Sequence, residues 1–105
     1  MMPGAWFVVR AVVADPGDRA AFDSWYRDEH LPQAMEAFAV ETAWRGWSAS
    51  DPSIHYAYYR FGSMDRIDAV MAGPALAALV AEFDRCWNGR VTRTREILAV
   101  ADEIG

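Results

Sequence analysis

The stretch Val40–Phe61, VETAWRGWSASDPSIHYAYYRF, decides how the rest of the chain is read. Its first part, Val40 to Ser48, alternates and reads as a strand. Its last part, Ile54 to Phe61, is dense in aromatic and β-branched residues, which fit a pleated surface. Ser50-Asp51-Pro52-Ser53 between them is a turn, because Asp and Ser bond their own backbone and Pro presets φ. Two strands joined by a turn form a hairpin in the middle of the chain.

Upstream, Ala5 to Val13 (AWFVVRAVV) is a strand by propensity. Asp15-Pro16-Gly17-Asp18 turns into a helix that runs from about Gly17 to Phe38. Phe22, Trp25, Tyr26 and Glu29 recur there at three- and four-residue spacing and share one stripe. Pro32 lacks an N–H, so the helix is expected to kink or break near Asp28 to Leu31, with a short piece from Gln33 to Phe38 following. Downstream, Ser63 caps a helix to about Ala72. Gly73-Pro74 breaks it, and Pro74 opens another helix that stops at Trp87, before Asn88-Gly89. Val91 to Val100 is the last strand. The order is β-α-β-β-α-β. With right-handed crossovers this is an α+β, ferredoxin-like domain over residues 1–105, its helices on one face of an antiparallel sheet.

Composition narrows the function classes. The chain has 105 residues, 53% of them hydrophobic, enough to bury a core without staples. Its net charge is −5 and all ten cations are Arg, with no basic block, which argues against nucleic acid as a partner. No apolar run approaches the length of a membrane span, and the run up to Val13 does not read as a signal peptide. A single cysteine, Cys86, fits a reducing setting, so the cytoplasm is the expected location. Two distant histidines make no metal-ligand spacing, and there is no Gly-rich phosphate loop, so no cofactor is expected.

One copy leaves the sheet incomplete. In the first strand Phe7, Val9, Ala11 and Val13 point one way, while Trp6, Val8, Arg10 and Val12 point the other. The other central strand divides into His55, Ala57, Tyr59 and Phe61 against Ile54, Tyr56, Tyr58 and Arg60. Both faces are apolar or aromatic, but the helices cover only one. A second copy packed sheet to sheet is the simplest cover, so a homodimer is expected.

The chemistry is sought first in Phe22-Asp23-Ser24-Trp25-Tyr26-Arg27-Asp28-Glu29-His30-Leu31-Pro32. His30 suits proton transfer at neutral pH. A helix broken ahead of Pro32 would favour a cation there and make His30 easier to protonate. Tyr26 lies four residues earlier, and Glu29 is out of place on an apolar stripe unless it is paired or faces a cavity. Trp25, Trp44, Trp47, Tyr56, Tyr58 and Trp87 could line a pocket between sheet and helices; Arg60 and Arg93 could hold an acidic group or pair with a glutamate. His55, in a strand, reads as structural or interfacial, and Cys86 as an inert thiol. The bland alternative for each is a capping histidine, a paired carboxylate or a core aromatic.

The same stretch resembles the F-x-x-W-Y-x-x-E-H-x-P signature of the dimeric α+β barrel superfamily, nearest to its EthD-like and muconolactone-isomerase-like branches. The order of elements agrees along nearly the whole chain. The resemblance implies two ferredoxin-like sheets packed face to face, with a pocket in each subunit between sheet and helices. It also implies an acid or base role for His30, with Tyr26 and Glu29 as partners. Where relatives carry a Pro-Gly pair after the first helix, this chain has Ala37-Phe38-Ala39. The Asn and Trp arrangement of the haem-degrading branch is absent, which disfavours haem. Three functions stay open. One is a cofactor-free isomerase, cyclase or monooxygenase acting on a small hydrophobic carbonyl compound. The second is a non-catalytic ligand-binding or stress-linked accessory protein. The third is a structural dimerisation module with a filled core.

Overall fold

The computed structural model describes residues 4–104. Strands β1 (Ala5–Val13), β2 (Ala43–Trp47), β3 (Ile54–Phe61) and β4 (Val91–Ala99) form one sheet in the order β2-β3-β1-β4. Each neighbouring pair is antiparallel. Helices α1 (Arg19–Trp25) and α2 (Leu31–Phe38) follow β1, and α3 (Met64–Met71) and α4 (Pro74–Trp87) follow β3. This is the expected ferredoxin-like α+β arrangement, with the β2–β3 hairpin intact and β1 lying between β3 and β4. No helix among the described residues is long and apolar enough to cross a membrane.

Register assigns the two sheet faces. β1 pairs Phe7 with Tyr59 and Ile97, Val9 with Ala57 and Arg95, and Ala11 with His55 and Arg93. Side chains in directly paired positions share a face, so these lie towards the helices. Phe7, Ala11, His55, Ala57 and Tyr59 are all buried. Trp6, Val8 and Arg10 pair with Arg60, Tyr58 and Tyr56 on the opposite face. There Trp44 stacks on Tyr58 with ring centroids 4.0 Å apart, and Trp6 meets both edge-on. Trp44 is nonetheless 49% exposed. The second face is thus aromatic and uncovered in the single chain.

The helix after β1 is disturbed where a kink or break is expected, near Asp28 to Leu31, but it does not break before Pro32. Residues Tyr26–His30 form one wide π turn between α1 and α2, and the Leu31 N–H donates to the carbonyl of Tyr26, five residues back. The wide turn carries the chain past Pro32, which has no N–H to give and sits in the first turn of α2. It also resets the register. Phe22, Tyr26, His30, Ala34 and Phe38 are all buried at four-residue spacing. In a pure α-helix each such step overshoots a full turn by about 40°, so the stripe would wind around to the solvent side. The π turn absorbs that drift. Glu29 therefore leaves the stripe and is exposed, contrary to its expected place beside Phe22 and Trp25.

β2 is shorter than the alternating pattern proposes, because α2 closes late. The N–H groups of Ala39 and Val40 bond the carbonyls of Glu36 and Met35, and Ala39 takes a left-handed φ of 54°. That conformation favours glycine and strains a residue with a Cβ.

Candidate functional site

The π turn drives His30 inward. Its imidazole is 7% exposed. It stacks on Trp25 at 4.5 Å and 18°, and meets the edges of Tyr26 at 4.9 Å and Phe83 at 5.8 Å. His30 Nδ1 is buried with no hydrogen-bond partner among the described residues. An orphaned buried polar atom is costly, by about 1–3 kcal/mol, and calls for a specific explanation; Trp87 Nε1 is the other such atom among the described residues. Burial, assisted by the positive charge of Arg93 and opposed by Glu82, pulls the His30 pKa down from 6.5 to about 4. His30 is therefore neutral at physiological pH. This corrects the expectation of an easily protonated histidine: there is no helix end at this point, and the surroundings are aromatic.

His30 borders a cavity under α4, walled by Phe7, Val9 and Tyr59 from the sheet and by Leu76, Leu79, Val80 and Phe83 from α4. Its free volume is about 30 Å³, space for roughly one water molecule. Arg93 and Arg95, from edge strand β4, complete the lining. Arg93 lays its guanidinium over the Phe83 ring at 4.1 Å and donates to Asp84 Oδ1 at 3.2 Å.

Behind His30 lies a polar thread. Tyr26 and Tyr59 join hydroxyl to hydroxyl at 3.2 Å, fully buried. Burial pushes the Tyr26 phenol up to about 12 and raises Tyr59 well above the ordinary range, so both stay protonated. His55, 1% exposed, packs against the other side of Tyr26 with centroids 4.5 Å apart. Its Nε2 lies 3.3 Å from Arg45 Nη1, which also bonds Asp23 Oδ1 at 2.8 Å. Trp47 Nε1 donates to the same oxygen at 2.9 Å. Burial lowers the His55 pKa to about 4, with Arg45 acting the same way. The fold thus brings together, on either side of one tyrosine, two histidines that are 25 positions apart in sequence.

The expected site residues divide into groups. His30, Tyr26, Trp25 and Trp87 gather under the helices; Trp87 is 4% exposed and meets Trp25 at 5.9 Å. Trp44, Tyr58, Arg60 and Tyr56 belong to the opposite sheet face, so the pocket proposed between sheet and helices does not include them. The physical reason is parity along each strand: in β3, odd positions meet the helices and even positions do not. Arg60 pairs with Glu103 at 3.2 Å and lies over Trp6. Glu29 faces solvent, away from the cavity. Tyr59, Phe83 and Arg95 were missed as candidates. Strand parity groups Tyr59 with His55, Ala57 and Phe61 but does not say which face the helices cover, and nothing in an exposed edge strand separates a rim arginine such as Arg95 from a solvated one. Among the described residues no group of three or more His, Cys, Asp and Glu side chains could hold a metal ion.

No protein-family model matches the sequence, and no curated protein does. Solved structures do match. SnoaB from Streptomyces nogalater, a cofactor-independent oxygenase, superimposes with a TM-score of 0.66 at 12% identity over 97% of each chain. HapK from Hahella chejuensis gives 0.67 at 13% identity, covering 96% of this chain and 97% of its own. An EthD family protein from Bacillus halodurans gives 0.63 at 14%, covering 87% and 96%. At these identities the likeness is one of architecture: the chain shares the ferredoxin-like α+β fold of these structures.

Proposed function

We propose that the chain is a homodimeric enzyme that binds a small hydrophobic carbonyl compound beside His30 and moves a proton on it without a bound cofactor. The observation that carries this reading is the neutral, buried imidazole whose Nδ1 has no partner among the described residues and which borders a largely apolar cavity. A neutral imidazole accepts a proton; an imidazolium does not. It takes the proton from the carbon next to the carbonyl, leaving an enolate, and the imidazolium returns it at the same or a conjugated carbon. Tyr59 borders the same cavity and, kept protonated, is a hydrogen-bond donor for the developing oxyanion, with Tyr26 bonded behind it. The fold shared with SnoaB, a cofactor-independent oxygenase, supports chemistry of this class.

Two conditions go with the proposal. The uncovered aromatic sheet face is the surface for a second copy, as in the barrel plan. The cavity holds about 30 Å³, so a substrate reaches His30 only when α4 moves away from the sheet. That small volume also favours a second reading, a dimeric module with a filled core. A thermal-shift screen of lactones, quinols and phenols on wild type and His30→Ala separates the two, since a ligand of the folded state must raise the midpoint. Hits that weaken in the variant, and whose turnover falls about 10²–10⁴-fold, support the enzyme. A verified substrate turned over equally by the variant removes His30 from the chemistry. The absence of any hit with well-folded protein leaves the filled core.

A further inference from the structure

Two arginines line the His30 cavity, with one carboxylate, Asp84, paired to one of them from outside the lining. Arg93 and Arg95 stand two residues apart on β4, and side chains at that spacing share a face. Both line the cavity; Arg95 also borders the depression on the opposite sheet face. No carboxylate lines the cavity among the described residues. The Arg95 side chain makes no hydrogen bond or ion pair among those residues, whereas Arg27, Arg45, Arg60, Arg85 and Arg90 each have a carboxylate partner. Arg93 has one as well, but Asp84 takes only one of its five N–H donors and is 57% exposed. The Arg93 side chain is itself 14% exposed and held flat on Phe83. Burial draws its pKa down, and among its neighbours Arg95 pushes the same way. Two guanidinium groups that repel one another at the mouth of an apolar slot, in a chain of net charge −5, form a site that a bound anion would relieve.

We infer that the ligand of this pocket is a small hydrophobic carboxylic acid, its carboxylate held between Arg93 and Arg95 and its apolar body beneath α4 against His30. The inference rests on the reading of the His30 cavity as a ligand site and adds to it the charge of the ligand. Arg60, the other arginine singled out for an acidic group, lies on the opposite face and plays no part.

The test is a pair of probes of one shape and two charges, 1-naphthoate and 1-naphthamide, titrated calorimetrically into the full chain. Wild type should bind the acid at least about tenfold more tightly than the amide, the ratio that one charge-assisted contact supports. In Arg95→Gln, at an exposed position that leaves the core intact, that preference should fall to about threefold or less. Arg93→Gln should do the same, while Arg60→Gln should keep the full preference. Val80→Phe, which fills the cavity, should weaken both probes together. Equal affinity for acid and amide overturns the inference while leaving the pocket standing, as does a preference that survives Arg95→Gln and Arg93→Gln. Binding unaffected by Val80→Phe places the probes elsewhere and overturns it too. Failure of both probes to bind at millimolar concentration removes the ligand site itself, and the inference with it.

Discussion

Lowering the pH from 7.5 to 5 should cost this protein much of its stability, and two histidines should account for the loss. In the folded chain His30 and His55 each have a pKa brought from 6.5 to about 4 by burial. The unfolded chain takes up protons near 6.5, so it binds more protons than the folded chain throughout the range between the two values. Stability therefore falls as pH falls through that range; it is fully present above about pH 6.5 and the loss is complete below about 4. At about 1.4 kcal/mol for every tenfold difference in proton affinity, the loss at pH 5 is about 2 kcal/mol for each histidine. Together that is on the order of 4 kcal/mol, against a usual total of about 5–15 kcal/mol for a folded protein. The carboxylates of Asp23 and Asp28, held below their ordinary range by hydrogen bonds from Arg45 and Arg27, lose their contribution only at lower pH. Urea denaturation at pH 7.5, 6 and 5 reads the effect, at one protein concentration because association adds to apparent stability. His30→Gln and His55→Gln should each remove about half of the pH-dependent loss. A stability unchanged between pH 7.5 and 5, or a loss of full size in both variants, would refute the assignment of two buried neutral imidazoles.

Other expectations follow from the same packing. Tyr26→Phe or Tyr59→Phe should each cost about 1–2 kcal/mol by leaving the other hydroxyl buried without its partner, and the double variant should cost less than the two together; denaturation of all three checks it. Phe22→Ala should cost about 3–5 kcal/mol, since the ring is 0% exposed and meets the rings of Tyr26, Trp47, His55, Phe83 and Trp87. Ala39→Gly should stabilise by about 0.5–1 kcal/mol, because the left-handed φ of 54° is free of strain in glycine. Trp44→Glu on the uncovered sheet face should give a monomer in sedimentation velocity at micromolar concentration, where wild type should sediment as a dimer. Its circular dichroism should be unchanged, because Trp44 is half exposed in the single chain.

The sequence by itself determined the topology. The hairpin around Ser50–Ser53 and the proline and glycine punctuation at Gly73-Pro74 and Asn88-Gly89 are local signals, and local signals survive without tertiary contacts. It also marked His30, Tyr26, Trp25 and Trp87 as candidates, and these four do gather under the helices. Only the tertiary structure decided the rest. A proline predicts a disturbed helix but not whether the chain answers with a break or a wide turn. Here the wide turn lets Phe22, Tyr26, His30, Ala34 and Phe38 all face the sheet, and it sends Glu29 to solvent. Which face of the sheet the helices cover depends on packing between elements distant in sequence, so Trp44, Tyr58 and Arg60 could not be told from pocket residues before the register was known. The charge state of His30 has the same origin. A helix-end argument favours the cation, but the helix does not end there, and burial among Trp25, Tyr26 and Phe83 disfavours it, because an imidazolium is costly to desolvate.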